Sequence, residues 1–264
     1  MQRIIVAGAG SESAMSFWMD KEREQGERVP EPADAPEGAV ISPDARREKR
    51  LPPGQSRTRK WPVLDVSGPP RVELDASGPP RVELGVSGPP RVELGVSGPP
   101  RVELESWRLR MFGKVGRGVE WNWKEFSQLP RVKVFADFHC VTRWSRLGNL
   151  WEGVSTRELV DRAGGIAPGA GFVVAHGYDR GFTTNLPLDE FLAEDALVAI
   201  LHDGEPLTLD HGGPARLIVP RLYAWKSAKW LAGLELTEKD EAGFWERSGY
   251  HMHGDPWREE RYSW

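Results

Sequence analysis

The chain has 264 residues, a formal net charge of −4 and 28% charged residues, a balance that calls for neither nucleic acid nor an anionic membrane surface as partner. Its single cysteine, Cys140, excludes an internal disulfide and the paired-cysteine zinc sites. No apolar stretch reaches membrane-spanning length, "IIVAGAG" is too short for the core of a secretory signal, and Arg46–Arg47 is followed by polar "EKRLPPGQ". The expectation is a cytoplasmic protein without membrane insertion.

Residues 1–60 are polar and interrupted by Pro30, Pro32, Pro36, Pro43, Pro52 and Pro53, with no periodic apolar positions that could bury a face. They read as a mostly disordered leader carrying a basic arm, "RREKR" and "RTRK". "VAGAGSES" is a weak echo of a nucleotide-binding glycine turn, with Ser13 in the third glycine position. From Asp65 to Leu104 a ten-residue unit of the type "GVSGPPRVEL" occurs four times. Pro-Pro after Ser-Gly disfavours both helix and central strand, so residues 61–106 read as a repeat spacer.

The foldable part is read as residues 107–264. "WRLRMFG" alternates as an edge-facing strand would; "WKEFSQL" is one or two helical turns ended by Pro130. "VKVFADFH" is a strand that delivers Cys140 at its exit. "STRELVDRAG" has Ser155 and Glu158 at capping-box spacing and Gly164 as its stop. "GFVVAHG", "ALVAILHDG", "EPLTLD" and "ARLIVP" read as strands, with Asp203-Gly204 as a tight hairpin turn. The result is an α+β domain rich in strands, with few helices.

Cys140 is either buried filler or a reactive thiolate, and Arg143 and Arg146 directly behind it would favour the charged form. A second cluster, "HGGPARLIVPRLYAWKSAKWLAGLEL", brings His211, Arg216, Lys226, Ser227 and Lys229 among glycines and aromatics. That combination suits a phosphate, because Arg binds two oxygens at once and close backbone approach adds N–H donors. His251 and His253 form an H-x-H pair that reads as packed or exposed rather than metal-binding.

Taken together, "HCVTRWS", "TTNLP", "HGGPARLIVP" with "YAWKSAKWL", and the tail "YHMHGDPWREERY" resemble the molybdopterin-binding domain of the sulfite oxidase superfamily. The nearest flavour is the bacterial sulfite-oxidase-like oxidoreductases related to the catalytic subunit of periplasmic methionine-sulfoxide reductase. The resemblance covers about Trp107 to Tyr262 and the approach segment "RLPPGQSRTRKWPVL". It implies that fold, a mixed-sheet molybdopterin-binding domain, and a molybdenum–molybdopterin cofactor. It makes Cys140 the thiolate ligand of the metal, a sensible role for a soft sulfur. His211, Arg216, Ser227 and Lys229, with Lys226 as a weaker member, would hold the pterin and its phosphate. His139 joins the expected cofactor contacts, and Thr183, Thr184 and Asn185 would form a loop beside the metal. Arg143 is the expected substrate-facing cation.

The implied activity is two-electron oxygen-atom transfer on a small sulfoxide- or sulfite-like substrate, with electrons passing to or from a separate protein because no haem or iron–sulfur motif is present. Where sulfite oxidases place a tyrosine just ahead of "TTNLP", this chain has Phe182, which removes a hydroxyl useful for anion binding and weakens the case for sulfite. The competing reading is a non-catalytic or cofactor-binding-only member of the fold, disrupted by the repeat. A cysteine hydrolase with His139 or His176 as base ranks last, because neighbouring strand residues point to opposite faces.

Overall fold

The computed structural model describes residues 28–63, 99–179 and 181–263. In chain order the strands are β1 (Val40–Ile41), β2 (Ser56–Arg57), β3 (Arg108–Gly113), β4 (Val119–Asn122), β5 (Val132–His139), β6 (Trp144–Ser155), β7 (Phe172–Gly177), β8 (Thr183–Pro187), β9 (Leu197–His202), β10 (Glu205–Pro206), β11 (Arg216–Ile218) and β12 (Leu231–Thr237). The α-helices are short: α1 (Trp123–Ser127), α2 (Thr156–Arg162), α3 (Leu188–Phe191) and α4 (Phe244–Arg247).

Two mixed sheets form. The seven-stranded sheet runs β1-β5-β6-β9-β10, with β11 also on β9 and β2 also on β6. The five-stranded sheet runs β4-β3-β12-β7-β8. The strands β1, β2 and β12 pair in parallel with β5, β6 and β3, while the other ladders are antiparallel. "WRLRMFG" is therefore internal and paired on both sides, not an edge; its partner β12 arrives from more than a hundred residues later, which local alternation cannot announce.

Strand alternation builds the core. In β9, Val198 and Ile200 join the main cluster with Leu109, Leu217 and Leu234, while Leu197 and Ala199 face a second cluster with Val134, Ala136 and Trp151. A strand buried on both faces reads as a continuous apolar run, as "ALVAIL" does. Each such Val, Leu or Ile side chain contributes roughly 1.5–3 kcal/mol when fully buried. Local chemistry sets the ends: the Ser155 hydroxyl caps α2 by accepting from the Glu158 N–H at 3.2 Å, and Asp203-Gly204 turns β9 into β10 with φ of 50° and 86°, the two positive values a type I′ turn requires. "EPLTLD" gives only the two-residue β10 before a 3₁₀ turn at Leu209–His211.

The leader expectation needs correction over residues 28–60, which are built into the fold. Strand β1 pairs with β5, and β2 pairs with β6. Arg50 clamps Asp137 through Nε at 2.9 Å and Nη2 at 2.5 Å and also reaches the Pro30 carbonyl; the two side chains are 7% and 0% exposed. Two-residue strands have no readable period, and their stability comes from partners distant in the chain. The boundary at residue 61 shifts too, because Trp61 packs on the second cluster. Residues 1–27 and the repeat through residue 98 lie outside the described residues.

Candidate active site

Alternation along β5 sends Phe138 and Cys140 one way and His139 the other. Phe138 and Cys140 line a cavity of about 190 Å³. After Cys140 the chain turns tightly: its carbonyl accepts from Arg143 N–H at 3.1 Å and from Gln55 Nε2 at 3.0 Å, and its N–H donates to the Trp144 carbonyl at 2.8 Å. The thiol is 5% exposed and lies 3.2 Å from the Thr142 hydroxyl. Burial pushes its pKa up, against weaker opposite pulls from the Thr142 hydrogen bond and Arg261. A thiolate at this position therefore needs a stronger positive partner than the protein supplies, which a bound metal ion would be.

The cavity also takes in Arg216, Ser227 and Lys229. Arg216 is fully buried, with Nη1 donating to the His211 carbonyl at 2.9 Å and Nη2 to the Ser227 carbonyl at 2.8 Å. Its Nε has no hydrogen-bond partner among the described residues, and burial pulls its pKa down to about 9. Ser227 Oγ accepts from Val219 N–H at 3.0 Å, which leaves its proton to donate elsewhere. Lys229 Nζ donates to the Asp210 carbonyl at 2.7 Å. Gly212, at φ 98°, lets the loop close on Lys229, since a Cβ there would sit 2.9 Å from the Lys229 Cβ. A soft sulfur at one part of the wall, with two cations and an orphaned buried N–H at another, fits a dithiolene-bound metal carrying a pterin and a phosphate.

His211 stands beside this group rather than open to the cavity. Its ring stacks on Trp61 at 3.9 Å, Nε2 meets the Trp61 carbonyl at 3.0 Å, and Nδ1 meets the Thr208 hydroxyl at 2.9 Å. Trp61 itself lines the cavity.

Other expected residues fall elsewhere. His139 is fully buried behind the sheet, with Nδ1 2.8 Å from Ser145 Oγ, and burial holds its pKa down at about 3. It does not line the cavity. "TTNLP" is strand β8 rather than a loop: Thr183 pairs with His176, while Thr184 and Asn185 are completely buried. Lys226, expected near the phosphate, turns inward to Glu246 at 2.7 Å and to the Asn185 side-chain and backbone oxygens at 2.9 Å. Burial lowers its pKa, and Glu246 opposes that. These three residues brace the wall from behind.

Arg143, at φ 71°, is exposed and runs beside Gly54, so the expected substrate-facing cation is not in the cavity. Arg146 is turned to Asp203 at 2.7 Å and to Asn149 and His202. Neither supplies the positive field expected at the sulfur; Arg261 does, held by the Val141 carbonyl at 2.7 Å. Sequence reasoning reads the tryptophans as a class as core filling and pocket wall, which Trp61, Trp225 and Trp245 bear out without having been singled out, and it missed Tyr250 and Arg261 as parts of the site. The only signal was the quoted tail and an unusual tally of 12 tryptophans. His251 and His253 share Glu260, and no group of three or more His, Cys, Asp or Glu suited to a metal occurs among the described residues.

Comparison with known proteins agrees with this geometry. The family model described as the oxidoreductase molybdopterin binding domain matches residues 96–245. An uncharacterised oxidoreductase of Bacillus subtilis, YuiH, is 40% identical over 215 residues, covering 81% of this chain and 93% of the relative. The methionine-sulfoxide reductase catalytic subunit MsrP of Campylobacter jejuni is 26% identical over 165 residues, covering 54% of this chain and 52% of the relative. A putative methionine-sulfoxide reductase subunit of Azospira oryzae, YedZ1, is 28% identical over 151 residues and 56% of each chain. The chain thus spans about half the length of these two reductase relatives. Among solved structures, the sulfane dehydrogenase SoxCD of Paracoccus pantotrophus superposes with a TM-score of 0.50 at 23% identity, over 54% of this chain and 41% of that one, and shows the fold. A match over more than half the chain, with a lone cysteine opening into a cation-lined cavity, identifies the chain as a molybdopterin-dependent oxidoreductase of the oxidoreductase molybdopterin-binding domain family.

Proposed function

We propose that the chain carries out two-electron oxygen-atom transfer on a small sulfoxide- or sulfite-like substrate, with Cys140 as the protein ligand of the molybdenum. The observation that carries this reading is the convergence of Cys140, Arg216, Ser227 and Lys229 on one cavity. When bound, the cofactor supplies the oxo and redox chemistry. The protein's own residues do the rest. Cys140 presents its sulfur from a rigid strand end. Arg216, Ser227 and Lys229 offer donors to the cofactor's anionic end, and His211 with Trp61 closes the side of the cavity. Phe182 and the tryptophans around it exclude water.

Other relatives are nitrate reductases, matched over 12% and 20% of their own length; two methionine-sulfoxide reductase components, matched over 56% and 52% of theirs, support a sulfoxide over an inorganic oxyanion. So does the apolar character of Phe182, Trp225 and Trp245 in the wall. Electrons pass to or from a separate redox protein. Among the described residues no helix is long and apolar enough to cross a membrane.

The test is molybdenum quantification on protein made in a host that synthesises molybdopterin. It is followed by turnover of sulfoxides with reduced viologen, and of sulfite with ferricyanide. Stoichiometric metal in the parent chain, and its loss in Cys140→Ser with the fold intact, are the expected results. A Cys140→Ser variant that keeps both metal and turnover would refute the assignment, and metal-free parent protein would favour the non-catalytic alternative.

A further inference from the structure

The buried cluster behind the aromatic wall centres on Glu246, which carries no role so far. Glu246, on α4, is completely enclosed at its side chain. Its Oε1 accepts from Trp225 Nε1 at 2.9 Å and Thr184 Oγ1 at 3.0 Å, and Lys226 Nζ lies 2.7 Å away. Its Oε2 is buried without a hydrogen-bond partner among the described residues. Three donors from two segments of the chain therefore meet at a single oxygen. Two of them, Trp225 and Lys226, are neighbours in the chain, and the third, Thr184, anchors the group to β8.

What this junction holds is the aromatic wall of the cavity that Cys140 also lines. Trp225 stacks on Tyr223 at 5.2 Å and meets Tyr250 edge-on at 5.2 Å. Trp245, the residue before Glu246, lies against Tyr250 at 4.9 Å. Trp225, Trp245 and Tyr250 all line the cavity with Cys140, and Trp225 belongs to the same buried cluster as Cys140. The backbone agrees with this arrangement. A Cβ on Gly243 would lie 2.3 Å from the Thr183 carbonyl and 2.6 Å from Glu246 Oε2, so the glycine presses the start of α4 onto β8 and brings the carboxylate under the wall.

We propose that Glu246 is the positioning residue of this wall, fixing the Trp225 indole and through it the face of the cavity that meets the substrate. The geometry makes the acceptor oxygen the operative feature. Among the described residues Glu246 is the acceptor for both the indole N–H and the hydroxyl, whereas the ammonium also donates to the Asn185 oxygens and the Met252 carbonyl. The ion pair with Lys226 balances the charge that this acceptor brings inside. For its kinetic consequence the inference rests on the function proposed above; its structural content does not.

The experiment keeps the charge balanced. Glu246→Gln with Lys226→Met removes the ion pair but leaves an amide carbonyl for Trp225 and Thr184. Glu246→Leu with Lys226→Met removes the acceptor as well. In the full chain with isotope-labelled tryptophan, the Trp225 indole N–H resonance, assigned with Trp225→Phe, should stay in place in the first pair and move to the position of an unbonded indole in the second. In cofactor-free protein the second pair should raise the rate of Cys140 alkylation by iodoacetamide about tenfold, the equivalent of one lost hydrogen bond. In molybdenum-loaded protein assayed with methyl p-tolyl sulfoxide and reduced benzyl viologen, KM should rise by about the same factor, while kcat and metal content hold.

A parental Trp225 resonance and parental alkylation rate in the Leu/Met pair would overturn the proposal. Should that pair fail to fold, Trp225→Phe, which removes the donor and leaves the ion pair, must reproduce the faster alkylation, and a parental rate there overturns the proposal equally. Absence of sulfoxide turnover in the parent chain would count against the proposed function alone, since resonance and alkylation still decide the role of Glu246.

Discussion

Arg50→Met tests whether the segment before the repeat is part of the folded unit. The Arg50 guanidinium makes two hydrogen bonds to Asp137, at 2.9 and 2.5 Å, and a third to the Pro30 carbonyl at 2.6 Å. Asp137 is fully buried, and its one other hydrogen bond among the described residues is from the Gly148 N–H at 2.9 Å. Removing Arg50 strands a carboxylate in the interior. Losing one partner of a buried pair costs roughly 3–5 kcal/mol. At about 2–4 °C per kcal/mol for a fold of this size, the melting temperature should fall by roughly 6–20 °C. Circular dichroism melts and urea midpoints of the full chain read the change. Adding Asp137→Leu should restore much of it, because an apolar pair of similar volume is close to neutral there. A shift below about 1 kcal/mol, the level of an exposed ion pair, would mean that residues 28–60 are not docked in solution, and the reasoning would be wrong.

Three further outcomes follow. His139 titrates at about 3 when folded against 6.5 when exposed, so the unfolded chain binds its proton first; stability from this group is complete above pH 6.5 and is lost as pH falls from there toward 3. His139→Gln should flatten the acid limb of the urea midpoint against pH, and an unchanged limb would show that the ring is not buried neutral. Gly212→Ala places a Cβ 2.9 Å from Lys229 Cβ at φ 98°; a cost of about 1–3 kcal/mol and reduced molybdenum retention are expected, and parental values in both measurements would remove the close-approach role. Trp61→Ala removes the ring stacked at 3.9 Å on His211 and should cost about 1.5–3 kcal/mol with weaker cofactor retention, read by melts and metal analysis.

What the sequence revealed was mostly local. The exit of β5 at Cys140 was readable because alternation in "VKVFADFH" is intrinsic to the strand, and α2 was readable because its cap lies three residues from its partner. The Asp203-Gly204 turn carries its own signature. The strands β1 and β2 were not legible, since each is two residues long and is completed by partners far along the chain. For the same reason Arg50 looked like part of a solvated basic arm until Asp137, 87 residues away, was seen beside it. In the second cluster, residue type alone could not separate Lys229, which lines the cavity, from Lys226, which turns inward to Glu246. Arg143 and Arg146 failed as predictors for a related reason. Adjacency in the chain says little about direction once a turn at φ 71° intervenes.

The cavity draws its lining from both sheets: Phe138 and Trp144 belong to the seven-stranded one, while Phe182 and Trp230 lead into strands of the five-stranded one. Any tight occupant therefore acts as a rivet, and its affinity adds to the cohesion of the protein, by about 4 kcal/mol once the occupant stands roughly a thousandfold above its Kd. Chains that have not yet received their cofactor should accordingly open more readily and be cut sooner by proteases than loaded ones.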